Sequence, residues 1–267
     1  MSDLDTRTAH GIFGAFEGPA GDRVVLPRYE ADGAWARELM AVLTERLAGG
    51  GTLLDAGAHV GLVSVPIALR TTARVIAFEP APLNAACLRR NARRHGVSER
   101  IEVHELALSD RAGELPFELC EGNSGDHHVV PATSAARGGV IRVRCARLDD
   151  VIDASALPRP IVLKLDVQGA EVKALAGAAR TLEHVDACVL EYWPAGVLRA
   201  GDQPERLEAL LDCFPNAALL RQDGAPLEHK TRAELFHALR SFMRHDGSDD
   251  GFFDLLLTSR GRERDGS

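Results

Sequence analysis

Asp55 and Glu79 are the acidic residues whose positions first suggest chemistry. Asp55 closes the apolar run Thr52–Asp55, and Ala56-Gly57-Ala58-His59-Val60-Gly61 then forms a glycine-bearing turn into a helical pattern. Gly57 lets the chain bend tightly and approach a ligand, and Gly61 lets the new helix pack closely on the strand. Amides at a helix start face whatever lies above the strand's carboxyl end. Glu79 follows 22 positions after Gly57, in Ile76-Ala77-Phe78-Glu79-Pro80. A carboxylate at that strand tip can accept hydrogen bonds from both hydroxyls of a ribose. Turn and acid together suit a nucleoside-bearing ligand.

The spacing narrows the ligand. The turn reads Gly57-x-x-x-Gly61, not G-x-G-x-x-G, and Asp55 stands two residues before the first glycine. A dinucleotide needs backbone approach to a pyrophosphate. The amino-acid end of S-adenosylmethionine instead needs a negative group near its ammonium, which Asp55 is expected to supply directly or through water. The acidic strand end therefore favours the sulfonium cofactor. Asp55, Gly57, Ala58, His59, Gly61, Glu79 and Pro80 are the candidate contacts.

The elements that must position these residues follow from alternating β-rich runs and helical patterns, which indicate βαβ units on a mostly parallel sheet. Ala34–Leu47 carries Leu39, Val42, Leu43 and Leu47 on one helical stripe ended by Gly49-Gly50-Gly51. Strand Thr52–Asp55, helix Val60–Leu69, strand Arg74–Phe78, helix Leu83–His95 and strand Ile101–Leu108 come next. Glu114–Cys120 and Val140–Cys145 read as strands of an inserted hairpin around a polar loop, Glu121–Gly139. Ile161–Asp166 resumes the sheet, followed by helix Glu171–Leu182, strand Ala187–Glu191 and a helix over 204–213. Strands Ala217–Arg221 and Phe252–Thr258 close it, with helix Arg232–Arg244 between them. Asp246–Gly251 is expected to turn, and Arg260–Ser267 to be a frayed tail.

Composition bounds the rest. The 267 residues are 45% hydrophobic and 26% charged, which excludes the signature of a disordered chain. A net charge of −8 offers no broad basic face, so nucleic acid is not an expected partner. Cys87, Cys120, Cys145, Cys188 and Cys213 are scattered and contain no C-x-x-C pair, as for reduced core thiols. No apolar run approaches the ~18 residues of a membrane span, and a cytoplasmic location is expected. The organisation expected is an N-terminal extension over 1–50, a catalytic domain over 51–259 and a tail over 260–267. The partner is a small-molecule acceptor, and a homodimer is compatible with the reading.

Five segments occur in a telling order: Leu54-Asp55-Ala56-Gly57-Ala58-His59-Val60-Gly61, Ala77-Phe78-Glu79-Pro80, Ala107-Leu108-Ser109-Asp110-Arg111-Ala112-Gly113, Leu148-Asp149-Asp150, and Leu163-Lys164-Leu165-Asp166-Val167-Gln168-Gly169-Ala170-Glu171. Over roughly residues 50–195 they resemble the FkbM family of methyltransferases, the last run being the specific part. The resemblance implies a Rossmann-like, seven-stranded α/β sheet, mostly parallel with an antiparallel last strand, here with an inserted β-hairpin and an N-terminal helical extension. It implies S-adenosylmethionine as donor, O-methylation of a natural product or sugar, and adenine near Leu106 and Ala107. His59 stands where the family commonly has asparagine, and Gln168 where it has glutamate. An N-methyltransferase, a nicotinamide-dependent oxidoreductase and an inert cofactor-binding module are the alternatives.

Asp166 ends its strand on the cofactor's edge of the sheet and ranks first as general base toward a hydroxyl acceptor, ahead of Glu191, His127 and His128. Lys164 is either catalytic or paired with Glu171 or Asp166. Glu171 suits the first turn of a helix whatever its function. Asn123, Ser124, His127, His128, Gln168, Glu191, Tyr192 and Trp193 are the candidate acceptor contacts, with Tyr192 and Trp193 equally suited to the core. Asp126-His127-His128 could bind a metal, but adjacent loop histidines are more often solvated, and no metal is expected. His104 is expected to be structural.

Overall fold

The computed structural model describes residues 5–131, 139–220, 227–246 and 251–259, with side chains for all of these except 240–246. The expected turn over Asp246–Gly251 falls largely outside them, and the expected tail Arg260–Ser267 falls wholly outside. The chain opens on a hairpin, β1 (Thr6–Gly11) and β2 (Gly14–Pro19), followed by α1 (Val25–Asp32) and α2 (Arg37–Arg46). The extension expected to be helical thus also carries a hairpin: the helix expected over 34–47 is α2, starting at Arg37, and a further helix, α1, precedes it and ends at Gly33, whose φ of +72° makes a left-handed cap. The hairpin is tied to the body through Asn91, whose side-chain amide accepts from the Glu17 amide (2.8 Å) and donates to the Glu17 carbonyl (2.8 Å).

The central sheet is built from β3 (Thr52–Ala56), β4 (Arg74–Phe78), β5 (Ile101–His104), β10 (Ile161–Leu165), β11 (Ala187–Tyr192), β12 (Asn216–Leu220), β13 (His229–Thr231) and β14 (Phe253–Thr258), in the order β13-β12-β14-β11-β10-β3-β4-β5. β3, β4, β5, β10 and β11 are parallel neighbours, while β14 runs antiparallel to both β11 and β12. The sheet is therefore mixed and eight-stranded, not seven-stranded, because β13 adds an edge beyond β12. β3 and β10 are buried at every position, as strands covered on both faces must be.

Side-chain alternation divides the core. Leu53 and Val75 point to one face and join Leu43 of α2, Ile67 of α3 (Ser64–Arg70) and Leu88 of α4 (Pro82–Arg94). Leu54 and Ile76 point to the other and meet Leu175 of α6 (Glu171–Ala176), Leu207 of α9 (Pro204–Leu210) and Phe236 of α10 (Arg232–Asp246). The expected long helix Glu171–Leu182 is interrupted at Gly177, with α7 (Ala179–Leu182) following. A Cβ at Gly177 would lie 2.0 Å from the Ser109 carbonyl oxygen, so the interruption lets two backbones touch.

The expected third strand, Ile101–Leu108, is split. β5 stays in the central sheet, and β6 (Ala107–Leu108) joins β7 (Gly113–Leu119), β8 (His128–Val129) and β9 (Gly139–Ala146) in a second sheet of order β6-β9-β7-β8. The inserted hairpin is thus half of a small sheet that stands beside the carboxyl ends of β3 and β4. Between β9 and β10, Asp149 of α5 (Leu148–Val151) accepts from the amides of Arg180 (3.2 Å) and Thr181 (2.9 Å). The Leu148-Asp149-Asp150 motif is a helix clasp away from the ligand cavity. No helix among the described residues is long and apolar enough to cross a membrane.

Candidate active site

A cavity of about 850 Å³ opens at the carboxyl edge of β3, β4, β10 and β11, within the range of small-molecule sites and near its upper end. Its floor is the glycine turn. Gly57 has φ +78°, and a Cβ there would sit 1.8 Å from the Asp166 carbonyl oxygen, so glycine is what brings the first and last motifs into contact. The amides of Gly57 and Ala58 both donate to the Phe78 carbonyl (3.0 and 3.1 Å), and the amide of His59 donates to Glu79 Oε2 (2.8 Å). Three successive turn amides are spent on β4 and its tip. The helix itself begins only at Ser64, not Val60, so the expected helix-start amides do not face the cavity.

Glu79 accepts from His59 N at Oε2 and from Ala81 N at Oε1 (2.9 Å), which fixes the carboxyl group while leaving each oxygen a lone pair for a ligand hydroxyl. Burial pushes its pKa up to about 7 despite these bonds. Gly57, Ala58, His59, Glu79, Pro80, Leu106 and Ala107 all line the cavity. Asp55 and Gly61 do not. Asp55 is fully buried, accepting from Ser64 Oγ (2.5 Å) and pairing with Lys164 Nζ (3.3 Å), and it is not placed to meet a ligand's ammonium. Gly61 is covered by Leu88, which lies 2.3 Å from where its Cβ would be.

Lys164 resolves to a strut. Its ammonium donates to the Gly57 carbonyl (2.8 Å) and pairs with Asp55 and Asp166 (3.3 and 3.5 Å). Burial works against its charge, but Asp166 and Asp55 outweigh that and hold it above the ordinary lysine range. A lysine so held is a fixed cation, not a base.

Around it stand three carboxyl groups, Asp166, Glu191 and Asp254, all lining the cavity. Asp166 is the open one, its side chain 35% exposed. Gln168, in the left-handed region at φ +54°, donates from Nε2 to Asp166 Oδ1 (2.8 Å) and to Glu191 Oε2 (3.0 Å). Its amide bridges two acids where a glutamate would add a third charge. Burial, then the charges of Asp166 and Asp254, push the Glu191 carboxyl far above the usual range, so near neutrality it carries a proton that it can donate while still accepting from Gln168 at Oε2. Beneath them Glu171 binds the turn through Oε1, accepting from Val167 N (3.1 Å) and Gly169 N (3.2 Å).

The acceptor side is assembled from loop and roof. Asn123, Ser124, His127 and Trp193 line the cavity, whereas His128 and Tyr192 do not. Tyr192 is a core residue, edge-on to Phe236 at 5.3 Å. His127 Nδ1 accepts from the Cys120 amide (3.0 Å), and burial depresses the ring's pKa, so the neutral ring carries its proton on Nε2 and cannot act as the base. His59, neutral because burial lowers its pKa to about 4, joins Nε2 to Ser124 Oγ (2.8 Å). His104 stacks on Phe78 at 5.1 Å, the structural role expected.

Asp254, Phe252 and the α1–α2 residues Arg28, Trp35 and Arg37 also line the cavity and went unrecognised in the sequence. Asp254 had a signal: it is the lone acid in the strand Phe252–Thr258, and the register sets it opposite Glu191. Of the five cysteines, Cys87, Cys145 and Cys188 are buried, Cys120 is half-buried and Cys213 is exposed, so only three are core thiols.

Residues 55–249 match the family described as the methyltransferase FkbM domain. The chain belongs to the FkbM methyltransferase family. It is 32% identical over 167 residues to the 2-O-methyltransferase NoeI of Sinorhizobium fredii, a match covering 58% of this chain and 66% of that one, just under two thirds of the relative's length. To the 31-O-demethyl-FK506 methyltransferase FkbM of Streptomyces tacrolimicus it is 31% identical over 156 residues, 48% of this chain and 59% of that one. The fold is shared with the crystal structure of methyltransferase FkbM from Methylobacillus flagellatus KT, with TM-score 0.51, 19% identity, and coverage of 87% of this chain and 50% of that one. Membership in the family goes with an α/β methyltransferase fold and implies use of S-adenosylmethionine.

Proposed function

We propose that this FkbM-family protein binds S-adenosylmethionine in the cavity above Gly57 and Glu79 and transfers its methyl group to a hydroxyl oxygen of a small molecule. The observation that carries the reading is that Glu79 and Asp166 line one cavity while the amides of Gly57, Ala58 and His59 are consumed by β4 and Glu79. Ribose hydroxyls find a fixed acceptor there, whereas a pyrophosphate would find these three amides already engaged. That weighs against a nicotinamide dinucleotide.

The residues divide the work. Glu79 holds the ribose, and Leu106 and Ala107 offer an apolar wall for the adenine. When bound, the cofactor would supply an electrophilic sulfonium methyl with a neutral thioether as leaving group. Asp166 takes the hydroxyl proton of the acceptor, and Glu191, already protonated, donates a hydrogen bond that orients it. Lys164 and Gln168 keep Asp166 aimed, and the enclosing walls exclude water, so much of the acceleration comes from alignment. Hydroxyl over amine is supported by the two relatives above, each an O-methyltransferase by name or by its O-demethyl substrate.

The test is calorimetric binding of S-adenosylhomocysteine against NADH, followed by transfer of labelled methyl to a panel of polyols, carboxylic acids and amines. Binding of the homocysteine product with formation of a base-stable methyl ether is expected. Preference for NADH would sink the cofactor assignment, and label appearing only on amines or as a base-labile ester would sink the hydroxyl assignment.

A further inference from the structure

We propose that the loop walling the acceptor side carries a zinc site formed by Cys120, Asp126 and His128. The sequence pattern pairs Asp126 with His127 and His128, but the fold regroups them. His127 faces the cavity with Nδ1 bonded to the Cys120 amide, and the Cys120 thiol takes its place beside Asp126 and His128. One ligand atom from each of Cys120, Asp126 and His128 falls within 4.8 Å of the other two.

The geometry points to a tetrahedral, thiophilic ion. Cys120 Sγ and His128 Nδ1 lie 3.6 Å apart. Zinc bonds of about 2.3 Å to sulfur and about 2.05 Å to nitrogen, opened to a tetrahedral angle, give an edge of about 3.6 Å. A sulfur, an imidazole nitrogen and one carboxylate match zinc better than magnesium or calcium, which take oxygen. The outer shell fits as well: the other ring nitrogen of His128, Nε2, has the Glu118 carboxylate at 3.7 Å, the carboxylate–histidine arrangement that orients metal-bound imidazoles. Arg199 stands 3.6 Å from Asp126 Oδ1 and leaves the second carboxylate oxygen available.

Without metal the thiol and the ring nitrogen share a backbone acceptor. The Cys120 thiol and His128 Nδ1 both converge on the Asp126 carbonyl oxygen, at 3.0 and 2.8 Å. Binding replaces these bonds. The thiol loses its proton to solvent as the sulfur–zinc bond forms, and the imidazole proton moves from Nδ1 to Nε2, where it stays on the ring and faces the Glu118 carboxylate. One proton is released per zinc. Three protein ligands leave the fourth position to water. Asp126 lines the acceptor cavity while Cys120 and His128 do not, so the ion would sit at the back of the loop that presents Asn123, Ser124 and His127 and order it.

The experiment uses the full chain freed of any affinity tag, in a Cys213→Ser background that removes the exposed thiol. Equilibrium dialysis against zinc is expected to leave one ion per chain. Cobalt substitution is expected to give the visible bands of a tetrahedral ion together with a thiolate-to-cobalt charge-transfer band. Cys120→Ser should abolish that band, His128→Gln should weaken zinc binding at least tenfold, and Glu118→Gln should weaken it by roughly 10–100-fold. Substoichiometric zinc in the parent chain, or a cobalt spectrum of octahedral type without the sulfur band, overturns the proposal. So does equal zinc retention by Cys120→Ser. If that variant does not fold, the cobalt spectrum of the parent chain decides alone. None of these readouts needs an active methyltransferase.

Discussion

The two halves of the cavity are built by different means. The cofactor half uses short-range geometry: a glycine turn, a strand tip and the adjoining strand ends, with backbone amides locking Glu79 in place. The acceptor half is gathered from distant parts of the chain. Arg28 and Trp35 come from the extension, Ser124 and His127 from the loop of the small sheet, and Asp254 from the last strand. The first half is held by main-chain bonds that few substitutions disturb. The second is held by side chains that can vary, which is how one family can keep a donor and change its acceptor.

Removing the proposed base should break the comparison most visibly. Asp166→Asn is expected to lower kcat by roughly 10²–10⁴, the usual worth of a positioned general base, with little change in S-adenosylhomocysteine affinity. The isosteric amide keeps the place beside Gln168, and Lys164 retains Asp55. Equal losses in kcat and cofactor affinity would move Asp166 into the cofactor half.

Glu79→Ala is the complementary change. Two hydrogen bonds to a buried carboxylate are worth about 3 kcal/mol together, roughly a hundredfold in cofactor affinity by calorimetry, with kcat at saturation much less affected. Because the carboxyl pKa is raised to about 7 by burial, the parent protein should bind cofactor more tightly as pH rises from 6 to 8 and the second oxygen becomes a full acceptor. A flat affinity across that range would show that the ribose is not held here.

Stability should titrate too. Burial raises the Glu171 pKa from an ordinary 4.5 to about 7, so the folded chain holds a proton that the unfolded chain has released. The contribution is complete below about pH 4.5 and is lost as pH climbs through 7, because proton uptake then favours the folded state ever less. Glu79, raised for the same reason, adds in the same direction. Thermal melts should show Glu171→Gln gaining on the parent by an order of a few kcal/mol between pH 5 and 8, since the glutamine oxygen can still accept from Val167 and Gly169. A difference that is constant with pH would mean Glu171 is charged throughout.

The same division decides what was legible in the sequence. The strands, the Gly57 bend and the Glu79 tip are local: apolar runs, one left-handed glycine and an acid at a fixed spacing state them directly. Asp55 misled because its position before the glycine is correct while its side chain points inward, and only the register of β3 with β10 reveals Lys164 as its partner. The late helix start at Ser64 was hidden because amides 57–59 are drawn to β4, a tertiary bond with no sequence mark. β13 is three residues long and half exposed, too short to show an alternation. Asp254 and the individual α1–α2 residues of the roof, though not the N-terminal segment as a wall, were missed because their meaning comes from which strand or sheet edge they reach, and long-range neighbours leave no spacing to read.

The finest test concerns the seam between the halves. Ser124 joins them three ways: its amide donates to Asp22 Oδ1 (3.1 Å), its carbonyl accepts from Asn84 Nδ2 (3.2 Å), and its hydroxyl meets His59 Nε2. The first two use backbone atoms, and Asp22 also caps α1 by accepting from Leu26 N (2.6 Å), so the roof and loop survive a change at the side chain. Ser124→Ala therefore removes one neutral hydrogen bond of about 1 kcal/mol, an effect near fivefold. Since the lost bond is the one that reaches the glycine turn from the acceptor loop, the expectation is a severalfold rise in acceptor KM with cofactor Kd unchanged. His59 still holds Glu79 through its amide, which the substitution leaves intact. A cofactor Kd that weakens in step with KM would mean that the loop helps shape the adenosine site and that the two halves are one unit.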